Sequence, residues 1–133
     1  WVVLGPGSWF SSVMPHLLVP ELARALHETS ARRCVTLNLS SETGETFGLT
    51  ATEHLEVLHK HAPELRIDAV VADPSAVEDT EQLAEAAARM GARLLLRQVR
   101  RGDGTPRHDA LRLAAAYRDV FDDVLGDVGS PAR

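Results

Sequence analysis

Four short apolar runs, each separated from the next by a helical pattern, constrain the fold of this chain more than any other feature. The runs cover residues 1–4, 34–39, 67–72 and 93–99. Continuous apolar runs of this length are typical of strands that are buried on both faces. Strands that alternate with helices form a parallel sheet, because a parallel connection needs a crossover. We therefore predict an α/β fold, a parallel sheet with helices on both faces.

Capping residues mark where the predicted helices begin. Pro20 suits a first helical turn, and Thr50 with Glu53 fits a capping box. Asp79 and Asp109 can each cap a later helix. Apolar spacings of three and four residues then predict the buried face of each helix. These predicted buried residues are Leu22, Ala25, Leu26, Leu55, Leu58, Leu83, Ala86, Ala87, Met90, Leu113, Tyr117, Phe121 and Leu125.

The composition argues against several classes of protein. A net charge of −5 is unlike a general nucleic-acid binder, which needs an excess of Lys and Arg to meet phosphates. The single cysteine, Cys34, allows no internal disulfide, and its apolar setting predicts a buried, unreactive thiol. No apolar run approaches the roughly 18 residues that span a bilayer, and no signal peptide is evident. We therefore expect a cytoplasmic protein without membrane insertion.

The chain length of 133 residues suits one domain or part of a larger one, and no linker or repeat divides it. A parallel sheet whose first strand begins at residue 1 suggests that earlier strands are absent. We interpret residues 1–133 as the C-terminal portion of a single, larger three-layer α/β domain. An uncovered apolar sheet edge favours pairing between copies, so we expect a homo-oligomer.

Each polar loop of interest follows one of the predicted strands. The loops cover residues 5–12, 38–48, 73–79 and 100–109. Open parallel sheets bind ligands at the carboxyl ends of their strands. The four loops therefore meet along one edge, where we expect a binding site.

The first loop favours close approach of a phosphate group. Gly5 and Gly7 carry no Cβ, and backbone N–H groups with the hydroxyls of Ser8 and Ser11 can surround an anion. Pro6 removes one N–H donor and the loop has no lysine, so it is not a Walker loop. A tight turn from strand to helix is the alternative interpretation.

The second loop offers side chains suited to a sugar or a base. Asn38, Glu45 and Thr46 can bind sugar hydroxyls or a base edge, and Gly44 lets the backbone turn between them. A solvated loop with turn glycines is the alternative interpretation.

The fourth loop ends in Arg107, His108 and Asp109. An arginine can hold a phosphate through two N–H groups, and Asp109 is the expected helix cap. His108 can act as a base or contact a ligand, although an exposed loop histidine is the alternative. The histidines at positions 54, 59 and 61 lack the further ligands of a metal site. We predict no metal, no cofactor other than the ligand itself, and no assigned catalytic residue.

Three sequence blocks resemble the YvcK-type branch of the CofD-like superfamily, whose members are often called gluconeogenesis factors. The family block GPGSxxTSxxPxLLVP is GPGSWFSSVMPHLLVP here, at residues 5–20, with wording typical of actinobacteria. A second block has an Asn before GETDG and then a helix with an acidic residue–His pair, and a third block is R-H-D. These two blocks correspond to Asn38, residues 44–48, Glu53, His54, Arg107, His108 and Asp109.

The resemblance implies a Rossmann-like sheet, and complete family members begin with a Gly-rich nucleotide loop that this chain lacks. It also implies a regulator that binds UDP-sugars such as UDP-N-acetylglucosamine. Such a regulator would link gluconeogenic carbon metabolism to cell-wall peptidoglycan synthesis and cell shape. The implied ligand contacts are Gly5, Pro6, Gly7, Ser8, Ser11, Asn38, Gly44, Glu45, Thr46, Arg107 and His108.

The chain departs from the family pattern at Phe47, which replaces an Asp, and at Glu42 and Thr43, which replace Gln-Pro. Two alternatives therefore stay open. A CofD-like transferase would move a phosphorylated group from a nucleotide diphosphate, as in 2-phospho-L-lactate transfer, and would need a metal-binding Asp and a base that we cannot assign. The other alternative is a fragment that binds no ligand.

Overall fold

The computed structural model describes residues 1–39 and 48–122. Its centre is a sheet of four parallel strands in the order β1-β2-β3-β4. The strands are β1 (Val2–Leu4), β2 (Arg33–Thr36), β3 (Ala69–Ala72) and β4 (Arg93–Leu96). In the register, Val3 pairs with Cys34, Cys34 with Ala69, and Ala69 with Arg93. The predicted parallel sheet is confirmed.

Five α-helices accompany the sheet in the described part of the chain. They are α1 (Pro15–Leu18), α2 (Pro20–Glu28), α3 (Ala51–His61), α4 (Thr80–Arg89) and α5 (Ala110–Phe121). A π-helical turn (Trp9–Val13) precedes α1, and a 3₁₀ turn (Pro74–Ala76) follows β3. Across residues 1–39 and 48–122, none of the helices combines the length and apolarity needed to cross a lipid bilayer.

The order of the strands decides which face each helix covers. Consecutive strands are neighbours, and parallel crossovers share one hand, so the connecting helices α1 to α4 lie on one face. On that face Val35 and Val70 of the sheet pack in one cluster with Leu55 and Leu83 of the helices. Helix α5 follows the last strand and covers the opposite face. The predicted arrangement of helices on both faces is confirmed.

The face covered by α5 has its own, smaller core. Cys34, Val71 and Leu95 of the sheet cluster there with Ala116 and Val120 of α5. Burial raises the pKa of the Cys34 thiol to about 12, and a hydrogen bond with Thr36 only partly opposes that effect. A thiol with so high a pKa is protonated at neutral pH, as the sequence predicts for an unreactive cysteine.

The predicted caps are confirmed. The Thr50 hydroxyl accepts a hydrogen bond from the Glu53 N–H at 3.1 Å, and the Thr50 N–H donates to the Glu53 carboxylate at 3.0 Å. Asp79 accepts from the Gln82 N–H at 3.1 Å, and the Asp109 carboxylate accepts from the N–H at the third position of α5 at 2.9 Å. Helices α3, α4 and α5 therefore begin where the sequence places their capping residues.

Helix α2 does not bury the predicted stripe. Leu22 is 46% exposed and Ala25 is also exposed, whereas Leu26 is buried. The π-helical turn and α1 come first along the chain and place Trp9 and Leu17 in the core. Of the predicted α2 stripe, only Leu26 joins Trp9 and Leu17 in that core.

Helix α5 is rotated relative to the prediction. Ala116 and Val120 are buried, Leu113 and Tyr117 are half-buried, and Phe121 is 45% exposed. The Tyr117 hydroxyl is 2.7 Å from the Thr36 hydroxyl, within hydrogen-bonding distance, which keeps this ring at the margin of the core. The small Ala116 then faces the sheet. Leu125 lies outside the described residues.

Candidate functional site

The loop after β1 approaches the end of β2 very closely at Gly5. The peptide bond between Gly5 and Pro6 is cis, and Gly5 has a φ of +79°. A Cβ on Gly5 would lie 2.6 Å from the Thr36 carbonyl oxygen. Only glycine combines that backbone conformation with that separation. The sequence predicts that the missing Cβ of Gly5 favours close approach of a phosphate. In the structure the missing Cβ allows close approach of the end of β2.

Asn38 holds this loop in place. The Gly7 N–H donates to the Asn38 Oδ1 at 2.9 Å, and the Asn38 Nδ2 donates to the Gly7 carbonyl at 2.7 Å. Two of the predicted site residues are therefore paired across 31 positions of sequence. The side-chain amide keeps one N–H beyond this pair, since Nδ2 carries two hydrogens.

The serine-rich part of the first loop lies in the π-helical turn. The Ser12 N–H donates to the Ser8 carbonyl at 2.7 Å, and Trp9 is fully buried beneath the turn. Ser8 is half-buried, whereas Ser11 and Pro6 are exposed. The turn thus carries the predicted Ser8 and Ser11 at the same edge of the sheet as Asn38.

A cavity of about 320 Å³ lies at the carboxyl ends of β2 and β3. Its volume is in the range of pockets that bind small molecules. Among the predicted site residues that the structure describes, Asn38 alone lines it. The described residues that line it are Leu37, Asn38, Leu39, Leu49, Ala51, His54, Ser75, Ala76, Val77 and Glu78.

Asp73 ties the third and fourth loops together behind this cavity. Its carboxylate accepts hydrogen bonds from the Ser75 N–H and hydroxyl at 2.8 and 2.7 Å, and from the N–H groups of Val99 and Arg100 at 2.9 and 3.0 Å. Burial opposes ionisation, but these hydrogen bonds outweigh it and lower the pKa of Asp73 below its ordinary value. Asp73 therefore acts as a charged anchor for both loops.

His54 is a lining residue that the sequence reasoning did not select as a ligand contact. It is 5% exposed, and its Nδ1 lies 2.7 Å from the Thr50 carbonyl oxygen. Its ring meets the Trp9 ring edge-on, with centroids 5.2 Å apart. The Nε2 atom is buried and has no hydrogen-bond partner among residues 1–39 and 48–122. The signal that could have identified it was its place in the Glu53–His54 pair of the family pattern.

The fourth loop folds back on itself and brings His108 to the same edge. Arg100 and His108 form an antiparallel bridge, and the Arg101 N–H donates to the Arg107 carbonyl at 2.9 Å. Arg107 is exposed and is not among the cavity residues. Burial lowers the pKa of the half-buried His108, while its hydrogen bond to the Leu37 backbone and the charge of Asp73 oppose that shift.

Some of the predicted ligand contacts cannot be placed in relation to the cavity. Gly44, Glu45 and Thr46 lie outside the described residues, as does Phe47. Within residues 1–39 and 48–122, no group of three His, Cys, Asp or Glu side chains is placed to hold a metal ion.

A larger cavity, of about 440 Å³, lies elsewhere, in the groove between α3 and α4. Its lining includes Leu55, Val57, Ala86 and Arg89. It contains none of the predicted site residues that the structure describes. The smaller cavity at the strand ends is therefore the candidate site.

Comparison with known proteins gives consistent results. The family model described as 2-phospho-L-lactate transferase CofD matches residues 1–101. A Mycobacterium tuberculosis protein named "Putative gluconeogenesis factor" is 47% identical over 133 residues, covering 97% of this chain and 37% of the relative. A Mycobacterium leprae protein of the same name is 46% identical over 122 residues, covering 90% of this chain and 34% of the relative.

Solved structures agree with the sequence relatives. A crystal structure of a UPF0052 family member from Bacillus halodurans has a TM-score of 0.72 and 25% sequence identity, and the match covers 86% of this chain and 41% of that one. This chain thus spans well under half the length of the relatives it matches. The family model covers the sheet from β1 to the loop after β4, and the chain belongs to the CofD family.

Proposed function

We propose that this chain binds a nucleotide-sugar, UDP-N-acetylglucosamine, and acts as a regulator that links gluconeogenic carbon metabolism to cell-wall synthesis and cell shape. The observation that carries the proposal is the cavity at the carboxyl ends of β2 and β3, lined by Asn38 and bordered by the loop that Asn38 holds. Carboxyl ends of parallel strands are where such folds bind nucleotides. The names of the mycobacterial relatives support the link to gluconeogenesis.

The proposal divides the ligand between two groups of residues. The diphosphate would meet the backbone of residues 5–8 and the guanidinium of Arg107, which is exposed. The sugar or the uridine would enter the cavity, where the second N–H of Asn38 can donate to it. Glu45 and Thr46 complete the proposed set of contacts.

A transferase is the second candidate, because the matching family model carries a transferase description. In that case a phosphorylated group would pass from a nucleotide diphosphate to an acceptor at the same edge of the sheet. The two candidates differ in what happens to the ligand. A regulator returns it intact, whereas a transferase consumes it over time in the presence of a divalent cation.

Titration calorimetry of UDP-N-acetylglucosamine into the chain tests the proposal. We expect saturable binding, and ³¹P NMR of the mixture with Mg²⁺ should show an unchanged ligand after prolonged incubation. Absence of heat from a chain with native circular dichroism would refute the nucleotide-sugar proposal. Consumption of a nucleotide diphosphate that carries 2-phospho-L-lactate, when an acceptor is present, would favour the transferase.

A further inference from the structure

The hydrogen bonding of His54 leaves one ring nitrogen open. Nδ1 lies 2.7 Å from the Thr50 carbonyl oxygen, and a carbonyl oxygen only accepts hydrogen bonds. Nδ1 therefore carries a proton, and in the neutral ring Nε2 is an acceptor. In the described part of the chain that acceptor is buried and has no partner, and its side chain lines the cavity at the strand ends. A buried acceptor without a donor is unfavourable unless a bound molecule supplies one.

The ring of His54 is held in a fixed orientation. The hydrogen bond to Thr50 fixes one end of the ring, and Trp9 packs against it edge-on with an interplanar angle of 86°. The indole N–H of Trp9 also lacks a partner, but Trp9 is not a lining residue of the cavity. The folded chain therefore holds Nε2 in one orientation, and because the atom itself is buried, a ligand donor reaches it only with a small local shift at the wall of the cavity.

The other polar groups of the cavity are also largely acceptors. Glu78 lines the cavity, and its carboxylate accepts a hydrogen bond from the Ala51 N–H at 3.2 Å at the start of α3. The Ser75 hydroxyl donates to Asp73 and so presents its lone pairs to other groups. A cavity with this lining suits a ligand that brings hydrogen-bond donors, such as sugar hydroxyls or the imide N–H of a uracil ring.

We infer that His54 Nε2 accepts a hydrogen bond from the bound nucleotide-sugar, so that His54 contributes directly to ligand affinity. This inference rests on the proposed function, because it names one contact of the same site. The sugar hydroxyls and the uracil imide share the required chemistry, and the experiment distinguishes between them.

Two substitutions distinguish the role of Nδ1 from that of Nε2 in His54. His54→Asn places an amide near the position of Nδ1, so it can still donate to Thr50 but offers nothing near Nε2. His54→Gln reaches towards the position of Nε2 and restores an acceptor there, but it gives up the donor to Thr50. Kd values for UDP-N-acetylglucosamine are measured by calorimetry, with circular dichroism confirming the fold of each variant.

We expect His54→Asn to raise Kd by about ten- to a hundredfold, the worth of one buried hydrogen bond, and His54→Gln to raise it much less. A purely structural role at Thr50 predicts the opposite order and would overturn the inference. His61→Asn is the matched control, because His61 has the same type of bond, Nδ1 to the Val57 carbonyl at 2.9 Å, but is exposed and lies away from the cavity. Its Kd should not change.

A measurement on the unchanged chain avoids dependence on the fold of the variants. The ¹⁵N resonance of His54 Nε2 should move upfield as UDP-N-acetylglucosamine saturates the chain, while that of His61 stays in place. Binding without such a shift would overturn the inference and leave the proposed function standing, whereas absence of binding refutes both. If the His54→Asn effect persists with UDP alone, the donor is on the uridine, either the uracil imide or a ribose hydroxyl, and if it disappears, the donor is on N-acetylglucosamine.

Discussion

Replacing Asn38 by alanine tests whether one side chain holds the glycine loop at the edge of the sheet. The substitution removes two hydrogen bonds, of 2.9 Å to the Gly7 N–H and 2.7 Å from Nδ2 to the Gly7 carbonyl. Each contributes about 1 kcal/mol net, a value that already includes the exchange of protein and water hydrogen bonds. We expect the free energy of unfolding to fall by about 2 kcal/mol.

Urea unfolding followed by circular dichroism gives this quantity directly. The midpoint should fall while the dependence of the free energy on urea stays constant, because the surface exposed on unfolding is nearly unchanged. For a chain of this length the melting temperature should drop by about 6 to 10 °C. Ser12→Ala is the control in the same loop, because Ser12 is exposed, and it should change the free energy by less than about 0.5 kcal/mol.

A loss below about 0.5 kcal/mol for Asn38→Ala would refute the reasoning, since this is the usual effect of an unimportant surface substitution. It would mean that the loop keeps its position through its own turn and through the burial of Trp9. The assignment of Asn38 as the residue that holds the loop would then be wrong.

Three further predictions follow from the same edge of the sheet. Gly5→Ala should lower the free energy of unfolding by at least about 2 kcal/mol in urea titrations, because a Cβ would meet the Thr36 carbonyl oxygen at 2.6 Å and the φ of +79° disfavours alanine; an unchanged midpoint would contradict the close approach. Asp73→Asn should destabilise the chain by about 2 kcal/mol at neutral pH. Hydrogen bonds lower the pKa of Asp73 in the fold, so the stability that its charge contributes is present above the ordinary pKa of 3.8 and is lost as the pH falls through the lowered value. The difference in free energy of unfolding between the original chain and Asp73→Asn should therefore become smaller in acid. A difference that stays constant from pH 7 to pH 2.5 would contradict this. Arg107→Ala should weaken UDP-N-acetylglucosamine binding by about 1.5 to 3 kcal/mol in calorimetry, the value of a charge-assisted hydrogen bond, with no change in unfolding because Arg107 is exposed; unchanged affinity would remove it from the proposed site.

The fold was predictable because its signals are local. The capping box of Thr50 and Glu53 and the cap at Asp79 each depend on residues three positions apart, and Gly91 ends its helix with a φ of +84°. Such interactions form within one turn of helix and need no knowledge of the rest of the chain. The apolar runs add the sheet, since continuous runs of this length between helical patterns are typical of parallel strands.

The faces of two helices were not predictable, because packing decided them. The spacing of Leu22, Ala25 and Leu26 fits a buried stripe, yet only Leu26 is buried. Trp9 and Leu17 supply the neighbouring part of that core. Apolar periodicity predicts that a helix has an apolar face, but it does not predict how much of that face is buried against the core. A π-helical turn that buries Trp9 has no comparable sequence signal.

The candidate site was predictable in its place but not in its contacts. Asn38 was selected because amides bind sugars and bases, yet its amide pairs with the backbone of Gly7. His54 was considered only as a metal ligand, and it was set aside because the sequence offers no further ligands to complete a metal site with it. Only the bond from Nδ1 to Thr50 reveals that Nε2 is an unpartnered acceptor.

Donors and acceptors that are left without a protein partner after folding are therefore a better guide to the chemistry of the ligand than the residue types alone. The Asp73 carboxylate receives four hydrogen bonds from the protein, so its effect on a ligand is to position two loops. Asn38 keeps one N–H, and His54 keeps a buried acceptor in a cavity of about 320 Å³. One donor and one fixed acceptor in the same cavity suit a ligand group that itself both donates and accepts. A sugar hydroxyl has both capacities in one atom, and a uracil ring has them in its adjacent imide N–H and carbonyl groups, so either end of the proposed UDP-sugar fits this pattern of donor and acceptor.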